Sequence, residues 1–193
     1  MACIAITRGR GLDCNRVSGG IQYVYFGVSD QIDSITVSGA QVTEIDMDGA
    51  SSLYRYTMPR GASSSTETAT GSTEHATISY APTLNLILNR LTKEDQNEVK
   101  LLGQTAVVIF VQLHATKSSS GQPIILALGV KNSMSLNSGS MHSGAAFSDR
   151  NGYTLGWEGF EPAPSPVLMD FSVGGTPFDN IGDAGIPIPI ISA

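Results

Sequence analysis

The run TAVVIFVQLHA, residues 105–115, constrains the fold more than any other stretch. Strand alternation puts Val107, Ile109, Val111 and Leu113 on one face and Ala106, Val108 and Phe110 on the other. Successive side chains of a strand point to opposite faces, so this strand is apolar on both sides and must be covered on both. One face belongs in a core, and the second is expected beneath a helix or a neighbouring subunit. After a turn at SSSGQP, IILALGVKNSMSL returns the chain over 124–136, with Gln122-Pro123 starting this strand rather than interrupting it. These two runs are the expected central hairpin.

Shorter runs surround it at roughly 8–12-residue spacing, the pattern of an antiparallel sandwich or barrel. GGIQYVYFGVS, 19–29, is the first strand. In 33–39, Ile35 and Val37 oppose Thr36 and Ser38, and in 41–49, Ile45 and Met47 oppose Glu44 and Asp46. Asp48-Gly49 reads as a hairpin turn into 51–59, where Tyr54, Tyr56 and Met58 oppose Leu53, Arg55 and Thr57. Further on, Ile78 and Tyr80 share a face, and beyond Pro82, Leu84, Leu86 and Leu88 oppose Asn85, Ile87 and Asn89. The spacing predicts one helix, 92–103. Thr92 and Asp95 take the form of a capping box, Gly103 closes the element, and Leu91, Val99 and Leu102 form a narrow apolar stripe that rests on a sheet.

Three segments break the pattern. RGASSSTETATGSTE, 60–74, has no large apolar residue, so it reads either as a long flexible loop or as a hairpin whose outer part orders against a partner. NSGSMHSGAAFSDRNG, 137–152, reads as a small-residue loop before the strand YTLGWEGF, in which Tyr153, Leu155 and Trp157 share one face. From Glu161 onward, prolines at 162, 164, 166, 177, 187 and 189 discourage regular structure, yet Val167, Leu168, Phe171, Phe178, Ile181, Ile186 and Ile188 are too apolar for a free linker. The expected organisation is one β-domain over 1–164, with an inserted loop at 60–74, and an extended C-terminal arm over 165–193 that docks on something else. Removing 60–74 or 165–193 is accordingly expected to leave the fold intact.

At 193 residues one domain can bury roughly 70% of its unfolded surface, so it needs neither metal nor disulfides for stability. Cys3 and Cys14 can pair, but two cysteines make neither a disulfide framework nor a zinc site, and a reducing cytoplasm is the simpler setting. The N-terminal stretch lacks an uninterrupted apolar core of a secretion signal, and no run is long enough to span a bilayer. The net charge is −6, and 136–193 carries one basic group against six acidic ones. That balance argues against a phosphate-gripping surface.

Catalytic chemistry finds no foothold. His75, His114 and His142 fall in separate segments with no metal-binding spacing, no GxSxG elbow occurs, and the SGG and GRG glycines lack a phosphate-loop context. Asp149, Asn151 and Gly152 resemble part of a calcium loop, but the remaining ligands and closing glutamate are missing, and a type I′ or bulged hairpin turn at Asn151-Gly152 explains the same residues. Trp157 between Glu158 and Glu161 reads as a core or interface aromatic rather than a ligand platform. No catalytic, cofactor or metal residue is nominated, and the chain is not expected to be an enzyme.

Three features together carry a resemblance: the opening DCNRVSGGIQYVYF, the β-sheet framework with a capped helix at 92–103, and the SDRNGYTLGWEGFEP strand. Over roughly residues 1–165 the chain resembles tail tube proteins of tailed bacteriophages and the related ring-forming proteins of the head–tail connector. The resemblance implies a mainly β protein, an antiparallel sandwich or barrel flanked by one helix. It implies a virion structural role without catalytic residues or cofactors. Subunits would join their sheets in a ring, normally hexameric, stack through a long loop and a terminal arm, contact other tail proteins, and let DNA pass through the lumen without specific binding. Assembly would take place in the host cytoplasm, away from any membrane. The long proline-rich arm departs from a minimal tube protein, which leaves a connector, terminator or capsid-associated ring as an alternative. A carbohydrate-binding sandwich would also be rich in Ser, Thr and Gly, but its exposed aromatics should cluster in one loop set.

Overall fold

The computed structural model describes residues 9–11, 17–172 and 175–192. Cys3 and Cys14, and with them the question of their pairing, lie outside the described residues. The chain is mainly β, a sandwich of two sheets with one helix. Its elements are β1 (Ile21–Val28), β2 (Ile32–Ser38), β3 (Gln41–Met47), β4 (Leu53–Thr57), β5 (Ser64–Ser72), β6 (Thr77–Asn89), α1 (Lys93–Leu102), β7 (Val107–Thr116), β8 (Pro123–Leu128), β9 (Ser135–His142), β10 (Gly152–Glu158), β11 (Val167–Leu168) and β12 (Ile190–Ser192). The larger sheet runs β12-β4-β1-β7-β8-β11-β3-β2, and the smaller one β5-β6-β10-β9.

The two apolar faces of β7 organise two cores. Val107, Ile109 and Val111 join Val24 and Phe26 of β1 against Leu84, Leu86, Tyr153, Leu155 and Trp157 of the smaller sheet. Phe26 anchors this core, with ring centroids 5.2 Å from Trp157 and 5.1 Å from Tyr56. Val99 and Leu102 of α1 pack on the same cluster. The helix starts as its residues dictate: the Thr92 hydroxyl accepts from the Asp95 N–H at 3.0 Å.

Val108 and Phe110 face the second core, with Tyr25, Val42, Ile45, Leu53 and Ile125. Neither the helix nor a neighbouring subunit covers this face. The chain's own C-terminal segment does, through Leu168, Phe178, Ile181 and Ile188, all buried. Phe178 stands with its ring centroid 5.1 Å from both Tyr25 and Phe110. The arm expected over 165–193, docked on something else, is therefore corrected: its described residues pack on the domain itself. β11 pairs with β3 and β8, Gly182 bridges Ile45, and β12 lies parallel to β4. Prolines stop long ladders but not short ones, and the apolar residues between them supply the burial that holds the segment. Removing 165–193 would take out part of this core, so the deletion is now expected to destabilise the fold rather than leave it intact.

Three local readings change as well. Asp48-Gly49 does turn the chain, but β3 and β4 lie far apart in the sheet order and do not form a hairpin. The two-residue turn falls at Gly39-Ala40, between β2 and β3. On β3, Thr36 pairs Glu44 and Val37 pairs Val42, leaving Thr43 as an extra residue. This bulge lets Val42 and Ile45, which strict alternation would place on opposite faces, both reach the core. Finally, the return strand 124–136 divides at Gly129. β8 stays in the larger sheet, and β9 continues to His142 in the smaller one, through much of the stretch read as a loop.

Candidate assembly surface

The structure places each residue that suggested small-molecule chemistry. His75 lies in the exposed turn between β5 and β6, His114 on β7 and His142 at the end of β9. Among the described residues no group of three His, Cys, Asp or Glu side chains could hold a metal. The Asp149 carboxylate accepts the N–H groups of Ala145 and Ala146 at 2.9 and 2.8 Å, and these bonds hold its pKa below the usual carboxylate value. One of its oxygens is thereby spent on closing its own loop.

The proposed turn at Asn151-Gly152 is displaced. The connection from β9 to β10 spans 143–151, and Gly152 begins the strand, paired with His142 and Asn89. Its φ is +148°, and a Cβ there would stand 1.9 Å from the Leu88 carbonyl oxygen, so a close backbone approach explains this glycine. Trp157 is buried in the first core, as alternation indicated, with Tyr153 and Leu155 on the same face.

A structural carboxylate carries no signal in the sequence. Glu161 is buried, and its oxygens accept the N–H of Asn132 at 2.9 Å and of Lys131 at 3.1 and 3.2 Å. The Asn132 side-chain amide donates to the Phe160 carbonyl at 2.6 Å. Glu161 thus pins the bend that carries the chain from the larger sheet to the smaller. The C-terminal segment has its own clamps. Lys117 Nζ bonds Asp170 at 2.6 Å and the Leu168 carbonyl at 2.7 Å, while Gln122 exchanges two hydrogen bonds with the Phe171 backbone. Lys117 holds the Asp170 carboxyl below its ordinary pKa, chiefly by hydrogen bonding. No local motif signals these contacts, because the partners are far apart in sequence.

The uncommitted surface is backbone edge and hairpin. The segment 60–74 is largely β5, paired residue for residue with β6 from Ser64–Asn85 to Ser72–Thr77. The segment is thus a hairpin strand rather than a flexible loop, and its ladder is complete within the single chain, without the partner expected to order its outer part. Its outer part is exposed on both faces, including Ile78. In the smaller sheet β5 and β9 are the outermost strands, nine and eight residues long. β9 contains no Lys, Arg, Asp, Glu or Pro, and β5 contains one such residue, Glu67. Glu67 accepts from the Ser165 N–H at 2.9 Å and from its hydroxyl, which ties β5 to the chain after β10. Chains usually protect such edges with charge, proline or cover. Here these protections are sparse.

A third uncommitted feature is a groove of about 230 Å³ between α1 and β4, floored by Phe26 and Val107 and rimmed by Tyr54, Tyr56, Glu98 and Leu101. Burial, then the charges of Glu98 and Asp95, push the Tyr56 phenol up to about 12. Among the described residues, no helix is long and apolar enough to cross a membrane. Comparison with protein-family models, curated proteins and solved structures finds no match to this chain.

Proposed function

We propose that this chain is a structural subunit of a tailed-phage virion, assembling with its own copies into stacked rings that form the tail tube, a conduit for DNA. The observation that carries the reading is the pair of sparsely protected edges on the smaller sheet. Joining β9 of one copy to β5 of the next extends that sheet from subunit to subunit. Such a contact uses two different surfaces, so it repeats until it closes into a ring or grows as a filament. The exposed β5–β6 hairpin then supplies a projection toward a second ring. The net charge of −6 suits a conduit, since like charge keeps a nucleic acid from adhering.

The test is assembly of the purified chain, followed by sedimentation and negative-stain microscopy across a concentration series. Rings or tubes are the expected result. Ser140→Lys and Thr70→Lys, which place charge on the two edges, should abolish them while leaving the monomer folded. A monodisperse monomer at high concentration would overturn the reading. Ring symmetry separates a tube subunit from a connector ring.

A further inference from the structure

A row of paired residues crosses the larger sheet on the side of the first core. Leu128 pairs Ile109, Ile109 pairs Phe26, Phe26 pairs Tyr54, and Tyr54 pairs Ile191. Paired residues share a face, so these five side chains form one continuous apolar stripe. Its cover runs out along the way. Leu128, Ile109 and Phe26 are 1%, 0% and 2% exposed, but Tyr54 is 39% and Ile191 50% exposed. The smaller sheet has half as many strands as the larger and does not reach the end of the row. Helix α1 flanks the uncovered part with Leu101, itself 47% exposed, and the groove lies between them.

Elsewhere the chain holds out a matching plug. Phe147 is fully exposed in the 143–151 loop, and Met141 on the preceding strand β9 is 59% exposed. The loop is built to hold its shape without a partner. Asp149 closes it through the Ala145 and Ala146 N–H groups, Arg90 N–H bonds the Asn151 carbonyl at 2.9 Å, and Arg150 bonds the Thr154 hydroxyl at 2.8 Å. An aromatic ring kept in water on a pre-ordered loop loses little conformational entropy when it docks.

We infer that Phe147 of one copy seats in the α1–β4 groove of another, a second contact between copies in addition to strand pairing. Size and charge both fit. An apolar cavity of about 150 Å³ takes a benzene ring, and this groove is larger. The groove wall carries Glu98, with Asp95 one turn earlier on α1, while Glu94 pairs with Lys93 at 3.4 Å and Lys100 stands in the last turn. The plug loop carries Arg150, the one basic residue of 136–193, beside Asp149, one of whose oxygens accepts from the loop's own backbone. Plug and groove are different surfaces, so the contact adds to assembly wherever it runs head to tail rather than being exchanged reciprocally between two copies.

This inference rests on the self-assembly reading, and the experiment separates the two. In a Cys3→Ser, Cys14→Ser background, one preparation carries Phe147→Cys and another Leu101→Cys. The two are mixed, assembled and treated with a short bifunctional thiol reagent. A cross-linked dimer confined to the mixture is expected. In parallel, Phe147→Ser should raise the concentration for half-assembly by at least about tenfold without changing the melting temperature of the monomer. Assembly at the normal concentration by Phe147→Ser, with no cross-link in the mixture, would overturn the plug while leaving strand-paired rings standing. Failure of the unsubstituted chain to assemble at all would overturn both.

Discussion

Two segments of this chain lack a conventional pattern, and they end up in opposite conditions. The β5–β6 hairpin is a regular ladder that projects into solvent with most of its residues exposed. The described residues of 165–192 have little regular structure, yet Leu168, Phe178, Ile181 and Ile188 are buried. The difference teaches that hydrogen-bond regularity and burial are separate quantities. A hairpin of Ser, Thr and Gly satisfies its backbone without needing a core, whereas a proline-broken apolar segment must find one. What the second segment finds is the outer face of β7, which its own domain would otherwise leave uncovered.

The comparison breaks most readily at Phe178. Replacing it with Ala should cost about 3–5 kcal/mol, read from urea unfolding, because a ring touching both Tyr25 and Phe110 leaves a cavity. A loss under about 1 kcal/mol would mean that the segment is a removable arm after all. Next comes Glu161→Gln. It keeps the shape but removes the charge that receives two backbone N–H groups, at an expected cost of about 1–3 kcal/mol by the same measurement.

Alkaline titration sharpens the contrast without a mutation. Tyr25, beneath Phe178, is raised from 10.0 to about 12, chiefly by burial. The folded state therefore keeps a proton that the unfolded chain releases. The resulting contribution to stability is fully present below pH 10 and is lost as pH rises toward 12. Phenolate absorbance should show Tyr25 ionising late in the intact protein and nearer its ordinary value in Phe178→Ala. An unchanged titration would mean that the segment does not bury this ring. The smallest effect belongs to the hairpin: Ile78→Ser should move monomer stability by less than about 0.5 kcal/mol, since this side chain is 60% exposed. A larger loss would show that the hairpin folds back on the domain.

Where a strand carries an apolar period, its residues announce it. Val107 to Leu113, Tyr56 with Met58, and Tyr153 with Leu155 and Trp157 all lie on the faces that alternation assigns them. The helix is likewise legible from Thr92, Asp95 and Gly103. β9 is not, because an exposed edge strand of Ser, Asn and Gly has no apolar period to display. Thr43 hides for another reason: a bulge is defined by the partner strand, and one strand read alone cannot show it. Of the candidate site residues, the roles of Asp149 and Trp157 as scaffold could be argued from composition. Glu161 could not, since its partners lie about thirty positions upstream, at 131 and 132.

The amino-acid sequence by itself determined that the chain is mainly β, that β7 needs cover on both sides, and that one capped helix sits beside the strands. These follow from local chemistry: alternation, capping and turn residues act within a few positions. Tertiary structure alone decided who covers what. It sent one run of the chain from β8 in the larger sheet to β9 in the smaller through a bend held by a distant glutamate, and it folded the C-terminal segment onto its own domain. It also left the β5 and β9 edges and the α1–β4 groove open. Those choices depend on which surfaces remain uncovered once the sheets have formed, and that is a property of the assembled chain rather than of any segment of it.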